Sequence, residues 1–447
     1  MSEKPLFNTD RLIPEYFKMS LPVVFSMVIT LIYNLADTYF IAKTNDAMLV
    51  AGVSLCAPLF TVLMAIGNIY GQGGSSLISR LLGKEDRQGV RRVSSFCFWL
   101  SIGTGIVIAV LMLLIRGPVL GMLGASENTV RHAESYYTVI VCGAPLVILS
   151  FIHSNLMRSE GMSAQSMICT VAGSLLNIVL DPIFISGLGW GAWGAAMATV
   201  LGYALTDGMC LFFVLKKSAV LSVDFHLSRV SRNEFGQIFS VGLTAALTNI
   251  ASSVCVVFMN QYLLPYGDEK IAALGIVLRV TMIVQLILVG FSFGGVPLFG
   301  FLYGAGDRKK LRGLLRFCTL FLCGLALAES LAVFLLAKPL MQIFIDHADI
   351  VADGVIMLRW QIAGMVFCAI VLLYSCLFQA CGKAFPALIM SLSRQGVLFA
   401  IVFFIATSVA GYNGFLAAQL IADALSAGLA LGLYRSVYEK KKPHAIP

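Results

Sequence analysis

Charge is what this chain of 447 residues has least of: 12% is Asp, Glu, Lys or Arg, against about 25% in a soluble domain. With 59% hydrophobic residues and a mean hydropathy of +0.89, too little polar surface remains to cover a water-facing globule. Histidine is scarce as well, with 5 copies and no H-E-x-x-H pair. Only His132 and His153 fall in the first half, which disfavours an intramembrane protease or another membrane enzyme. No Walker A loop is present, so ATP-driven transport would need a separate partner. The 11 cysteines form no C-x-x-C and no cluster with histidine. They read as small buried apolar residues, with neither a disulfide framework nor a metal site expected. The first 16 residues are polar and lack an apolar core ahead of a small-residue cleavage site, so no cleavable signal peptide is expected.

What the chain has in abundance is long apolar stretches, and about 20 such residues cross a bilayer as helix. The sequence predicts twelve spans, near 17–41, 48–80, 93–115, 134–157, 163–187, 191–215, 237–264, 270–302, 313–336, 351–378, 384–409 and 412–436. The expected class is therefore an all-α membrane protein with twelve transmembrane helices. The net charge of +8 is a topology signal rather than a nucleic-acid footprint. Of the 31 Lys and Arg, 23 fall in the even-numbered connections and the two chain ends. By the positive-inside rule those segments, both termini included, are cytoplasmic.

The chain also repeats itself at an offset of 221 residues. Gly83, Asp86, Arg87 and Arg91 recur as Gly304, Asp307, Arg308 and Arg312. Gly73-Gly74 recurs as Gly294-Gly295, Phe96-Cys97 as Phe317-Cys318, Gly103 as Gly324, Pro118 as Pro339, and Gly161 as Gly382. The matches cluster at corresponding helix ends and loops. They predict two pseudosymmetric six-helix lobes, residues 1–218 and 233–447, joined by a cytoplasmic linker over 219–232. Two homologous apolar halves are the signature of a secondary transporter, with its substrate site where the halves meet.

An ionised side chain at the bilayer centre costs at least about 2.5–3.5 kcal/mol, so each needs a partner or a purpose. In the first half the membrane acids are Asp37, Asp181 and Asp207, with no Lys or Arg inside any span. In the second half Arg279 and Arg394 accompany Glu329 and Asp423, so these four are expected to form a self-neutralising network. The asymmetry assigns proton or cation handling to the first half. Asp37 and Asp181 each lie roughly 9 Å below the outer boundary at 1.5 Å per residue. Asn34 and Asn177 precede them by three and four residues, and so share their helical faces. Thr199 reaches a comparable depth, and Tyr137 sits somewhat higher. Pro182 frees the Ile178 carbonyl beside Asp181, and Pro22 gives the first span a bending point. A structural role, as protonated acids bonded to Asn and Thr, is the alternative for Asp37 and Asp181. For Asp207 and Asp423 that alternative is the stronger one.

With these residues in view, the chain resembles the multidrug and toxic compound extrusion (MATE) transporters. The resemblance rests on Pro22 and Asp37, G-x-G-G at Gly71–Gly74, L-x-R-S-E-G at Leu156–Gly161, N-x-x-x-D-P at Asn177–Pro182, and G-A-A-x-A-T at Gly194–Thr199. It implies a multi-pass protein of the bacterial plasma membrane, acting as a monomer among membrane lipids. Such a protein exchanges H+ or Na+ for small organic, often cationic, compounds by alternating access, with no cofactor and no nucleic acid. Carried over by position, Asp37 and Asp181 are the ion-coupling acids. Asn34, Tyr137, Asn177 and Thr199 are substrate or ion ligands, and Pro22 and Pro182 are hinges. The resemblance is strongest to the proton-dependent branch. Some branches place acidic cation ligands in spans 7 and 10. Here span 7 reads Phe258-Met259-Asn260-Gln261 and span 10 has no acid, which disfavours a C-lobe Na+ site. A flippase for a lipid-linked precursor is the alternative within transport, since Arg279 and Arg394 offer basic groups for phosphate.

Overall fold

The computed structural model describes residues 7–439; the terminal residues 1–6 and 440–447, part of the cytoplasmic assignment, lie outside the described residues. Among the described residues the regular structure is helical throughout, with no strand. Two compact units divide the chain. The first runs to Leu243 and takes in Gly300–Gly306; the second comprises Thr244–Phe299 and resumes at Asp307.

The first unit holds α1 (Leu12–Ala42), α2 (Ala47–Leu55), α3 (Ala57–Gly83), α4 (Arg87–Leu114), α5 (Arg116–Met122), α6 (Val130–Cys142) and α7 (Ala144–Ser159). It continues with α8 (Ser163–Asp181), a π-helical segment at Pro182–Gly187, and α9 (Gly191–Lys217). Helix α10 (Arg232–Leu263) starts in this unit and enters the second at Thr244. There follow α11 (Asp268–Gly294), α12 (Val296–Gly304), α13 (Arg308–Leu335), α14 (Ala337–Phe344), α15 (Ala348–Ala363), α16 (Met365–Ala380), α17 (Ala384–Arg394) and α18 (Val397–Tyr434).

The internal repeat is written into the element boundaries. Arg87–Leu114 and Arg308–Leu335 begin and end at the same offset, as do Ala144–Ser159 and Met365–Ala380. The reason is local. Asp86 and Asp307 each cap the following helix, accepting from Gly89 N at 2.8 Å and from Lys310 N at 2.9 Å. A carboxylate at this position satisfies an orphan amide and favours the positive end of the helix dipole. Beyond the stretch that sequence matching covers, α8 and α17 start in register at Ser163 and Ala384.

Nine helical segments among the described residues are long and apolar enough to cross a bilayer. Two bent pairs, 51° across Gly143 and 45° across Gly364, bring the number to 11. The last segment, Ala384–Tyr438, is 55 residues long and turns at Gly411 (φ 54°, ψ −128°). Divided there it supplies two spans, and the count reaches the twelve expected. Large apolar side chains such as Leu111, Leu114, Leu327 and Val409 stand exposed. That surface suits lipid, where only the backbone's own hydrogen bonds are available.

Inside the first unit Leu63, Ile78, Val93, Ile140, Ile148 and Ile152 are fully buried in a continuous core. The G-x-G-G run lets α3 press against α7. A Cβ at Gly71 would stand 3.0 Å from the Phe151 carbonyl oxygen and 2.9 Å from Asn155 Nδ2. The segment after α9 is held down rather than loose. The Glu160 carboxylate accepts from Ser218 Oγ (2.6 Å), Ala219 N (2.6 Å) and Val220 N (3.2 Å). Ser222 N donates to Ser94 Oγ at 2.9 Å, and Trp99 Nε1 donates to the Val223 carbonyl at 2.9 Å.

The loop assignment has a direct check. Among the cysteines only Cys142 is exposed and Cys323 half-buried, so replacing those two leaves a quiet background. In it, Lys84→Cys or Lys309→Cys is expected to resist membrane-impermeant thiol reagents added outside intact cells and to react after permeabilisation. Efficient labelling from outside at either position overturns the orientation.

Candidate functional site

Helix α8 packs against both α1 and α9, and at this junction two of the membrane acids of the first unit, Asp37 and Asp181, meet. Asp181 is the last residue of α8 and is fully buried. Pro182 follows and has no N–H to give, so the chain departs from α-helical bonding and runs on as the π-helical segment. Four residues earlier on the same face, Asn177 Nδ2 reaches Asp181 Oδ1 at 3.5 Å and Thr199 Oγ1 at 3.4 Å. Thr199 donates in turn to the Ala195 carbonyl at 3.1 Å, which fixes its hydroxyl on α9. Asp37 of α1 meets Asp181 side chain to side chain.

Three polar oxygens converge here without a hydrogen-bond partner among the described residues: Asp37 Oδ1, Asp181 Oδ2 and Asn177 Oδ1. A buried acceptor left unmade costs about 1–3 kcal/mol. Among the described residues no basic side chain pairs with either acid. The arrangement therefore suits a cationic species, a proton or a small cation, arriving from elsewhere.

Four of the sequence-predicted residues, Asp37, Asn177, Asp181 and Thr199, come together. Asn34 does not join them; it is exposed on α1. Tyr137 is fully buried, but its hydroxyl donates to the Met112 carbonyl at 2.9 Å, away from the acids. Its neighbour Tyr136 takes the place beside Asp37 and Asp181. Tyr33 and Tyr203 complete an aromatic rim: Tyr33 lies against Thr199 and Asp37, and Tyr203 against Tyr33 and Tyr136. Sequence reasoning missed all three. The available signal was spacing, since Tyr33 is four residues before Asp37 and Tyr203 four after Thr199. Pro22 lies inside α1, which stays helical across it; Ser26 Oγ donates to the Pro22 carbonyl at 2.9 Å.

In the second unit the predicted four-residue network reduces to two of its members. Arg394 Nε binds Asp423 Oδ1 at 3.0 Å, both residues being buried, and Gln419 Nε2 donates to the same oxygen at 2.9 Å. Glu329 keeps both carboxyl oxygens buried without a partner among the described residues, and Arg279 is exposed. The 221-residue offset sets the two units in contrast. The positions of Asp37, Asn177, Asp181 and Thr199 correspond to Phe258, Leu398, Val402 and Leu420. Conversely, Arg394 and Asp423 correspond to Gly173 and Gly202. Those two glycines touch: a Cβ at Gly173 would stand 2.5 Å from the Gly202 carbonyl oxygen. One scaffold thus carries acids in one copy and a closed ion pair in the other.

Two further groupings carry no chemistry. Gly290-Phe291-Ser292-Phe293-Gly294 spells G-x-S-x-G, but α11 is helical to Gly294, without the strand-to-helix elbow that exposes a hydrolase serine. Glu269, His347 and Asp349 bring one ligand atom each within 4.8 Å of one another at an exposed position of the second unit, an ordinary arrangement for surface acids.

The family model described as MatE matches residues 22–183 and 243–405. The multidrug export protein MepA of Staphylococcus saprophyticus is 30% identical over 408 residues, covering 91% of this chain and 90% of its own. The same protein of Staphylococcus aureus matches equally over the same shares. A crystal structure of MATE in the bent conformation superimposes with a TM-score of 0.88 at 26% identity, covering 94% of both chains. An outward-facing multidrug resistance MATE family transporter of the MOP superfamily gives 0.88 at 26% identity, covering 96% of both.

Proposed function

Because the chain belongs to the MATE family, we propose that it is a secondary antiporter that exports small organic, commonly cationic, compounds in exchange for protons. The observation that carries the reading is the Asp37–Asp181 pair, Asp181 fully buried and Asp37 half-buried, with no base paired to either among the described residues; the repeat mates of these acids are Phe258 and Val402. Its relatives named as multidrug export proteins support the cargo class.

The chemistry of exchange follows from mutual exclusion. Two facing carboxyls cannot both ionise cheaply, so they titrate as a coupled pair. With both carboxyls protonated, the pair is neutral and attracts no cation. With one of those protons gone, its single negative charge favours a cationic drug. Each ligand then weakens the other by the same factor, the linkage antiport requires. A proton moving inward through 100 mV releases about 2.3 kcal/mol. Asn177 and Thr199 orient the Asp181 carboxyl, and the rim of Tyr33, Tyr136 and Tyr203 offers flat aromatic faces to an organic cation. Pro22, which removes one backbone hydrogen bond from α1, gives the helix that carries Asp37 a place to bend as the site alternates between faces.

The sodium reading uses the same three partnerless oxygens, so the ions must be separated by experiment. Proteoliposomes holding a fluorescent organic cation are given either a pH gradient or a Na+ gradient alone. Release driven by the pH gradient and collapsed by a protonophore is the expected result. Release driven by Na+ at equal pH, indifferent to the protonophore, rejects the proton mechanism. The flippase reading has less support, because Asp423 already neutralises Arg394 and Arg279 is exposed.

A further inference from the structure

The coupling site leaves two buried titratable side chains unused. His153 of α7 and Asp207 of α9 are 3% and 5% exposed, with His153 Nδ1 3.6 Å from Asp207 Oδ1. All four of their ring-nitrogen and carboxyl-oxygen atoms lack a hydrogen-bond partner among the described residues. The imidazole packs on Phe98 of α4, ring centroids 5.3 Å apart. The other titratable groups facing the pair are Tyr203 and Cys210 of α9 and Cys169 of α8, with Arg158 of α7 behind Cys210. Arg158 is occupied with its own helix, donating to the Ser154 carbonyl at 2.9 Å and to Asn155 Oδ1 at 3.3 Å. Two polar groups that face each other at 3.6 Å, with no closer partner among the described residues, are costly to keep at such depth as scaffolding alone.

Their place in the fold is directional. Thr199, Tyr203 and Asp207 follow one another at intervals of four on α9, so they stack on a single face. Thr199 touches the coupling acids through Asn177, while Tyr203 stands against Tyr33 and Tyr136 on one side and Asp207 on the other. Asp207 lies about 12 Å further along α9 than Thr199, toward the basic end at Lys216 and Lys217. His153 is about 9 Å from the end of α7 at Ser159, the end whose last turn carries Arg158.

We propose that Asp207 and His153 form an inner proton station between the Asp37–Asp181 pair and the cytoplasmic face. The proposal rests on the proton-coupled reading above. A proton leaving the outer pair leaves a carboxylate behind. The Tyr203 hydroxyl passes it on by giving up its own proton inward and taking the incoming one. The His153–Asp207 pair stays neutral whether its one proton sits on carboxyl or imidazole, and a second makes an imidazolium beside a carboxylic acid. Loss of that proton to the cytoplasm resets the pair.

The test separates proton movement from drug binding. Full-length Asp207→Asn and His153→Gln, both close in shape to the native residues, are reconstituted with tetraphenylphosphonium as the probe. Exchange of labelled for unlabelled probe at equal pH needs the drug site alone and is expected within about twofold of wild type. Transport driven by a pH gradient is expected to fall at least about tenfold, the low end of what a positioned proton-transfer group contributes. Asp207→Glu, which keeps a titratable acid, is expected to restore most of the gradient-driven rate; it and His153→Gln decide the matter if Asp207→Asn does not accumulate. Gradient-driven transport at the wild-type rate in both neutral variants overturns the station. So does a parallel loss of exchange and gradient-driven transport, which marks a structural role. Wild-type liposomes under the pH gradient alone are the control: if they do not move the probe, it is the proton-coupled reading that has failed.

Discussion

Asp37→Asn and Asp181→Asn are expected to accumulate in the membrane like the wild type yet lose gradient-driven export by at least about tenfold, the scale of a 1–3 kcal/mol coupling free energy. Asparagine keeps the shape of the side chain and can still hydrogen-bond, but it has no proton to bind and release. At position 181 it still accepts from Asn177 and still precedes Pro182, so the end of α8 is undisturbed. What is lost is the charge that alternates. Export assays in cells, normalised to protein in the membrane, give the comparison. If both variants export at the wild-type rate, the acids are scaffolding and the proton reading loses its foundation.

The opposite behaviour is expected of the second unit. Arg394→Met removes one partner of a buried pair and strands the Asp423 carboxyl, which then keeps only Gln419. Breaking such a pair from one side costs about 3–5 kcal/mol, enough to cut expression and lower the melting temperature in detergent. The double variant Arg394→Met with Asp423→Leu removes both charges and is expected to recover expression and much of the transport. Failure of the double variant to recover would show that the pair does more than neutralise itself. No such balanced change in the second unit is expected to rescue Asp181→Asn, whose loss is one of chemistry rather than stability.

Most of the architecture was legible because membrane solvation makes it so. Spans announce themselves as apolar runs, and the aspartate caps at Asp86 and Asp307 mark the start of equivalent helices. The site was legible where residue type and spacing agreed: Asn177 and Asp181 share a face because four residues make about one helical turn. It was not legible where neighbouring residues on one helix offer the same chemistry. Tyr136 and Tyr137 point in different directions, and only the packing of α6 against α4 and α9 decides which meets the acids. Asn34 is a related case: a three-residue step sets it about 60° round α1 from Asp37, where it stands exposed. Arg279 could be counted as a membrane charge, but sequence could not tell that its side of α11 is open.

The glycine pair at Gly173 and Gly202 has a historical consequence. In the matching places of the other half, a guanidinium and a carboxylate occupy the room that two missing side chains would otherwise leave. Neither solution admits the other by single steps. A lone arginine at position 173 would drive its first carbon into the facing backbone, and a lone glycine at 394 would leave Asp423 without its charge partner. The two halves are thus no longer interchangeable at these positions. A hybrid built from two first halves, or two second halves, would duplicate one solution and forfeit the other, and with it either the exchangeable charge or the locked one.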